Sequence, residues 1–187
     1  MTLRPGTERG VTRTDWLDSR HSFSFDRYYD PAHSGFGDLL VINDDRVAPG
    51  AGFETHGHRD MEILTYVLDG ALEHRDTLGF LQIWIRPDTP GLAPGYEQRR
   101  LDTGELDGRF ALIAAREPVN GALTLHQDAK LYAARLAAGQ SVAHDIAARR
   151  RAWLQVATGR LTANGESLGE GDGLALVPEA DGGPIRL

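Results

Sequence analysis

Apolar residues along the chain fall in short runs, broken at close intervals by glycine and proline, and nowhere hold a helical period for long. With 22 Gly and 9 Pro among 187 residues, this punctuation predicts many short strands joined by turns. The strands expected are Leu39 to Asn43, Ile63 to Leu68, Ala71 to Asp76, Leu81 to Arg86, Phe110 to Ala115, Ala122 to His126, Leu131 to Leu136, Ala152 to Ala157 and Leu174 to Val177. Such a set predicts an all-β sandwich or barrel. The one helical candidate is Val142 to Arg150, which has no clear cap. Asp69-Gly70 and Asn164-Gly165 each supply the positive φ angles of a two-residue hairpin turn. The first turn predicts that Ile63 to Leu68 pairs with Ala71 to Asp76.

Sliding the sequence on itself by 89 positions superposes Val67 on Val156, Gly70 on Gly159 and Leu72 on Leu161. These matches point to two copies of one β-unit. The passage from Pro87 to Gly108, rich in Pro and Gly, is the natural connector, which puts the boundary near residue 100: an N-terminal unit over 1–100 and a C-terminal one over 101–187.

Composition adds mainly exclusions. Hydrophobic residues make up 41% of the chain, ordinary for a globular fold with a core. The net charge of -7 and the lack of any basic cluster longer than Arg149, Arg150 and Arg151 argue against a nucleic-acid footprint, which needs a basic face; the triple arginine reads as a solvated edge. Cysteine is absent, so a disulfide, a thiolate nucleophile and a Cys-ligated metal are excluded, and any metal must be held by nitrogen and oxygen. Met1 to Gly10 lacks the apolar run of a signal peptide, and no stretch approaches membrane-spanning length. A cytoplasmic location without membrane contact is the expectation.

The segment from Gly50 to Glu62 carries the candidate chemistry. In an extended chain, residues two apart project to one face, so His56 and His58 aim both imidazoles at one point. Glu62 has the same parity and joins them if the strand runs on without a bulge. Two imidazoles and a carboxylate are the ligand kit of a non-haem iron centre with open positions, and they also suit zinc, nickel, manganese or copper. Alone, His-x-His more often describes two partly exposed histidines at a strand edge. Here a glycine six residues before His56, a glutamate four after His58 and a glycine-turn hairpin favour a site.

Gly50-x5-His56-x-His58-x3-Glu62 resembles the first cupin motif, and the run from His56 to Asp76 resembles the pirin family more specifically. Similar phrases occur at Phe23 to Pro31, Val41 to Asp45, Leu81 to Ile85, Tyr96 to Gln98 and His126 to Asp128, so the likeness covers most of the chain. It implies two stacked cupin domains, a divalent metal in the first, most readily Fe(II), and, in the bacterial branch, quercetin 2,3-dioxygenase activity on a flavonol-like small molecule. Some relatives act instead as partners of regulatory proteins, so a non-catalytic bicupin that binds a protein partner is the alternative.

One departure from the family stands out. A second motif, which supplies a third histidine and a glutamate to the metal, is expected after the first hairpin, but here Asp76 to Gly79 passes directly to Phe80 to Trp84. Of the family's ligands only His56 and His58 carry over, leaving the N-terminal cupin incomplete. Glu62 is then the candidate for the vacant carboxylate position or for the catalytic base. The resemblance also implies one further strand beyond Leu187. His74, opposite Thr65 in the expected hairpin, reads as structural or as a hydrogen-bond partner of the site. His126 and His144 fall in the second copy, with no ligand-like neighbours in sequence. The aromatics from Phe23 to Tyr29, flanked by His21 and His33, read as core, as do Trp84 and Trp153.

Overall fold

The computed structural model describes residues 1–70, 77–177 and 183–187. The chain opens with a strand, β1 (Thr2–Arg4), followed by β2 (Gly10–Arg13), β3 (Leu17–His21), β4 (Leu39–Val47), β5 (Glu62–Asp69) and β6 (Leu78–Ile85). Strands β2 to β6 form one antiparallel sheet in the order β2-β3-β4-β6-β5. Beyond the connector come β7 (Ala111–Ala115), β8 (Leu123–Thr124) and β9 (Lys130–Ala133), a sheet in the order β8-β7-β9. The C-terminal part holds β10 (Ala143–Ile146), β11 (Ala152–Gln155), β12 (Arg160–Ala163), β13 (Glu166–Gly169), β14 (Gly173–Leu176) and β15 (Gly183–Arg186). There β10 pairs with β15 and β12 with β13, while β1 crosses from the N-terminus to pair with β14 beside β11.

The expected β-rich architecture holds, with two local corrections. Val142 to Arg150 is not helical: residues 143–146 form β10, whose backbone groups pair with β15. Their ladder decides the conformation, which the alanines alone would not. The only helix among the described residues besides one 3-10 turn is α1 (Thr103–Leu106), a single turn in the connector; Glu105 reaches back to accept the Asp102 N–H, 3.2 Å, as in a capping box. Asn164 and Gly165 have φ of 49° and 91° and close the β12-β13 hairpin as expected. Ala71 to Asp76, the expected partner of β5, lies outside the described residues, as does His74. The described partner of β5 is β6, with Thr65 opposite Gln82.

Strand β6 runs unbroken across Gly79 and Phe80, the junction where the second motif is missing. Gly79 faces Arg46 and Phe80 faces Asp45 on β4 with no register shift, while on the β5 side the register shifts between Val67 and Asp69, opposite the same two residues. Because side chains alternate between faces, β6 separates two environments. Leu81, Ile83 and Ile85 turn one way, joining Leu64, Tyr66 and Leu68 of β5 against Ala114, Leu125, Leu123, Leu131 and Ala157. That cluster joins the five-stranded sheet to the C-terminal half. Gln82 and Trp84 turn the other way, onto the face carrying Ser19, His21, Asn43 and Asp45, all buried. At the end of that face, Val47, Leu78 and Phe80 pack with Trp16, Leu17 and Ala51. A separate apolar core, Ile146, Val156, Ala163, Leu168, Leu174, Leu176 and Ile185, fills the C-terminal part.

Candidate metal centre

His56 and His58 lie on an exposed loop between β4 and β5, not on a strand. The loop leaves β4 at Ala48, whose N–H donates to the Trp16 carbonyl, 2.8 Å, and Phe53 sets its ring edge-on to Trp16, 5.1 Å between centroids. Although the backbone is irregular, the two imidazole rings lie close together, edge to face, with centroids 4.6 Å apart. The Nδ1–H of His56 donates to the Glu54 carbonyl, 2.6 Å. A carbonyl only accepts, so this bond fixes the tautomer and leaves Nε2 with a free lone pair. A backbone-tethered imidazole of this kind is the usual orientation of a metal-ligating histidine. His58 meets Trp84 edge-on, 4.7 Å between centroids. Trp84 in turn meets Phe25 at 5.5 Å, and Phe25 lies 5.3 Å from His21, so a series of rings runs from the exposed histidines to the buried polar face. The indole N–H of Trp84 is buried and has no partner among the described residues.

Glu62 does not share the face of His58. Asp60 has φ of 50°, a left-handed turn that breaks the extended run and with it the parity argument. Glu62 opens β5 on the side of Leu64, Tyr66 and Leu68, and its carboxylate accepts the Nδ1–H of His126 at 2.8 Å. Among the described residues no group of three or more His, Asp or Glu side chains is placed to hold a metal. The two imidazoles stand together without a carboxylate, Glu62 being directed to His126 instead.

His126 is the residue sequence reasoning missed. Its neighbours in space are ligand-like although its neighbours in sequence are not: besides Glu62 it lies close to Glu97, whose carboxyl is held below the ordinary range, first by the Thr124 N–H, 2.9 Å, then by the Thr124 hydroxyl and by the imidazole. The only sequence signal was that His126 and Glu97 both fall in phrases shared with one family. Elsewhere Phe23 packs on Trp153, 4.7 Å, as core, whereas Tyr29 is exposed. Arg150 pairs with Asp128, 2.6 Å, and Arg151 stacks over Phe36, 5.1 Å, so two of the three consecutive arginines serve local contacts. His144 packs against Tyr132 and Phe110. No helix among the described residues is long and apolar enough to cross a membrane.

An all-β chain of two cupin-type units, with a histidine pair on a loop of the first, is a bicupin. Residues 4–89 match the Pirin family and residues 112–181 match the quercetinase C-terminal cupin domain. Quercetin 2,3-dioxygenase of Escherichia coli K12 is 41% identical over 210 aligned positions, covering 95% of this chain and 90% of that protein. The crystal structure of bacterial pirin YhhW from Escherichia coli in complex with nickel(II) superposes with a TM-score of 0.88 at 37% identity, covering 99% of this chain and 96% of that one. A second crystal structure of YhhW from the same organism gives 0.89 at 36% identity, covering 99% and 95%. The chain belongs to the pirin family. An alignment of 210 positions that draws on 95% of 187 residues must open gaps on this side, so the relative carries positions within the aligned span that this chain lacks.

Proposed function

We propose that this chain binds a divalent metal through His56 and His58 and acts on flavonols by quercetin 2,3-dioxygenase-type ring cleavage. The observation that carries the reading is the closeness of the two imidazoles, one with its tautomer set so that Nε2 keeps its lone pair. The names of its relatives, and the nickel(II) in one solved structure of bacterial pirin YhhW, support the same reading. When bound, the metal supplies Lewis acidity that lowers the pKa of a flavonol hydroxyl and makes its ring electron-rich toward dioxygen. The chain's own residues orient the substrate. Trp84 and Phe25 offer aromatic edges beside His58 against which a flat ring packs. Fe(II) is the metal proposed, with nickel, zinc, manganese and copper compatible with the same two nitrogens.

Protein purified without a histidine tag and loaded with Fe(II) or nickel(II) is expected to hold one metal per chain and to consume quercetin in air. Both properties should be lost in His56→Ala/His58→Ala. Equal metal content in that variant would overturn the reading. The second reading, a non-catalytic bicupin that docks a protein partner, is favoured by one observation: no third ligand joins the pair among the described residues. Metal binding without quercetin turnover would select it.

A further inference from the structure

The loop of residues 48–61 makes few bonds of its own, and residues 52–60 are exposed throughout. Its start is pinned by Trp16 within the N-terminal half. Its end runs into β5, where Glu62 pairs with Ile85 of β6, and is also held from the connector and the other half. Asp60 accepts the Gly91 N–H of the connector at 2.5 Å, and Glu62, four residues after His58, accepts the ring N–H of His126 at 2.8 Å. His126 is itself built in: the Asp88 N–H donates to its carbonyl, 2.8 Å, and the neighbouring Gln127 amide donates to the Arg86 carbonyl, 2.9 Å. Arg116 pairs with Asp88, and Glu97 flanks the imidazole while holding the Thr124 N–H. Leu125, the residue before, is buried in the cluster that joins the two halves.

From this arrangement we infer that His126 is a positioning residue. Contributed by the half that lacks the histidine pair, it fixes the end of the loop that carries His56 and His58, and so sets how well the two imidazoles are held for a metal. As a stabilising contact the pair is weak, because the His126 side chain is 51% exposed and exposed ion pairs add little to folding. Its effect is local, on a loop with few other restraints. The part concerning metal affinity rests on the metal-binding reading above; the part concerning the loop does not.

The test compares wild type, His126→Phe, which keeps a ring and removes the donor, and His126→Gln, which restores an amide donor. Nickel(II) affinity is measured by calorimetry, and trypsin cleavage after Arg59, inside the loop, is followed by mass spectrometry relative to cleavage after the exposed Arg13. For His126→Phe, nickel affinity is expected to fall by about three- to tenfold and cleavage after Arg59 to accelerate. The thermal midpoint should move by no more than about 3 °C. His126→Gln should recover most of both losses. Should His126→Phe bind nickel and resist cleavage like wild type, the positioning role falls. If wild type binds no nickel while His126→Phe still speeds cleavage after Arg59, the metal reading falls and the restraint on the loop stands.

Discussion

The two halves use similar β-units in opposite ways. In the C-terminal half the core among the described residues is apolar, built from Ile146, Val156, Ala163, Leu168, Leu174, Leu176 and Ile185. In the N-terminal half, the face turned away from the joining cluster carries Ser19, His21, Asn43 and Asp45, each under 5% exposed. These are tied into a chain: Thr12 donates to His21 Nε2, 2.8 Å, and His21 Nδ1–H donates to Asn43, 2.8 Å. Burial lowers the His21 pKa, which favours the neutral ring that this pattern of one donor and one acceptor requires. Buried polar groups cost free energy unless hydrogen-bonded, so an apolar filling is the simpler solution, and the C-terminal half adopts it. A polar interior leaves groups that a ligand or solvent can use, and it lies on the same face as Trp84 and the histidine pair. The contrast sets a unit with a polar, ring-lined face beside one with an apolar core, and the two meet through His126 and Glu62.

The largest expected effect tests this one-sidedness. Substituting both His56 and His58 by alanine should weaken nickel(II) binding at least about 100-fold, whereas His144→Ala, in the other half, should leave it unchanged in the same calorimetric titration. Equal losses would erase the distinction between the halves. Next in size, Leu174→Ala removes a side chain only 1% exposed at the centre of the solid core. It should destabilise the protein by about 2–5 kcal/mol in urea unfolding, with nickel affinity per folded molecule preserved. A comparable loss of affinity would show that the C-terminal core shapes the site directly.

The same contrast explains what was legible in the sequence. Strands with apolar interiors, such as β6 and β14, announce themselves by hydrophobic pattern, and the Asn164-Gly165 hairpin by its turn chemistry. Strand β3 does not, because two of its inward positions are Ser19 and His21; a polar interior defeats a search for apolar alternation. Strand β10 reads as helix because Ala and Arg favour one locally, and only its pairing with β15 overrides them. At the site, the His56-x-His58 spacing picked out two rings that lie 4.6 Å apart, but on a loop and edge to face rather than on a strand. The extension to Glu62 was not, since it depended on one backbone angle at Asp60. The bond from Glu62 to His126 spans 64 positions and has no local signature at all.

A smaller effect separates the polar interior from the apolar one by pH. The Asp45 carboxyl is pushed up to about 6, chiefly by burial and further by the Asp44 charge, against a lowering contribution from the Ser19 hydroxyl. A carboxyl whose pKa is raised on folding stabilises the native state fully below its ordinary value, and that contribution is lost as pH rises through the folded value. The Asp45 contribution, read as wild type minus Asp45→Asn, should therefore fall between about pH 4 and pH 6, by roughly 2 kcal/mol, in urea unfolding followed across that range. The variant itself should lack this fall. If the variant follows the wild-type curve, Asp45 is ionised in the fold and the interior is wetter than its burial indicates.

The smallest effect lies at the surface, where the two halves should behave alike. Asp18 accepts Arg13 at 2.6 Å and lies 3.0 Å from Arg20; partial burial raises its pKa, and the two guanidinium groups more than offset this, leaving it below the ordinary carboxylate range. The sign is opposite to that of Asp45: the stabilisation is present above the ordinary carboxylate value and fades as pH falls below it. Solvent screens the pair, so Asp18→Asn should cost less than about 1 kcal/mol at pH 7, and the cost should shrink in high salt. Asp128→Asn, at the exposed Arg150 pair of the other half, should give no measurable change in the same unfolding assay. A large loss at either position would mean that the outer surfaces, and not only the interiors, distinguish the two units.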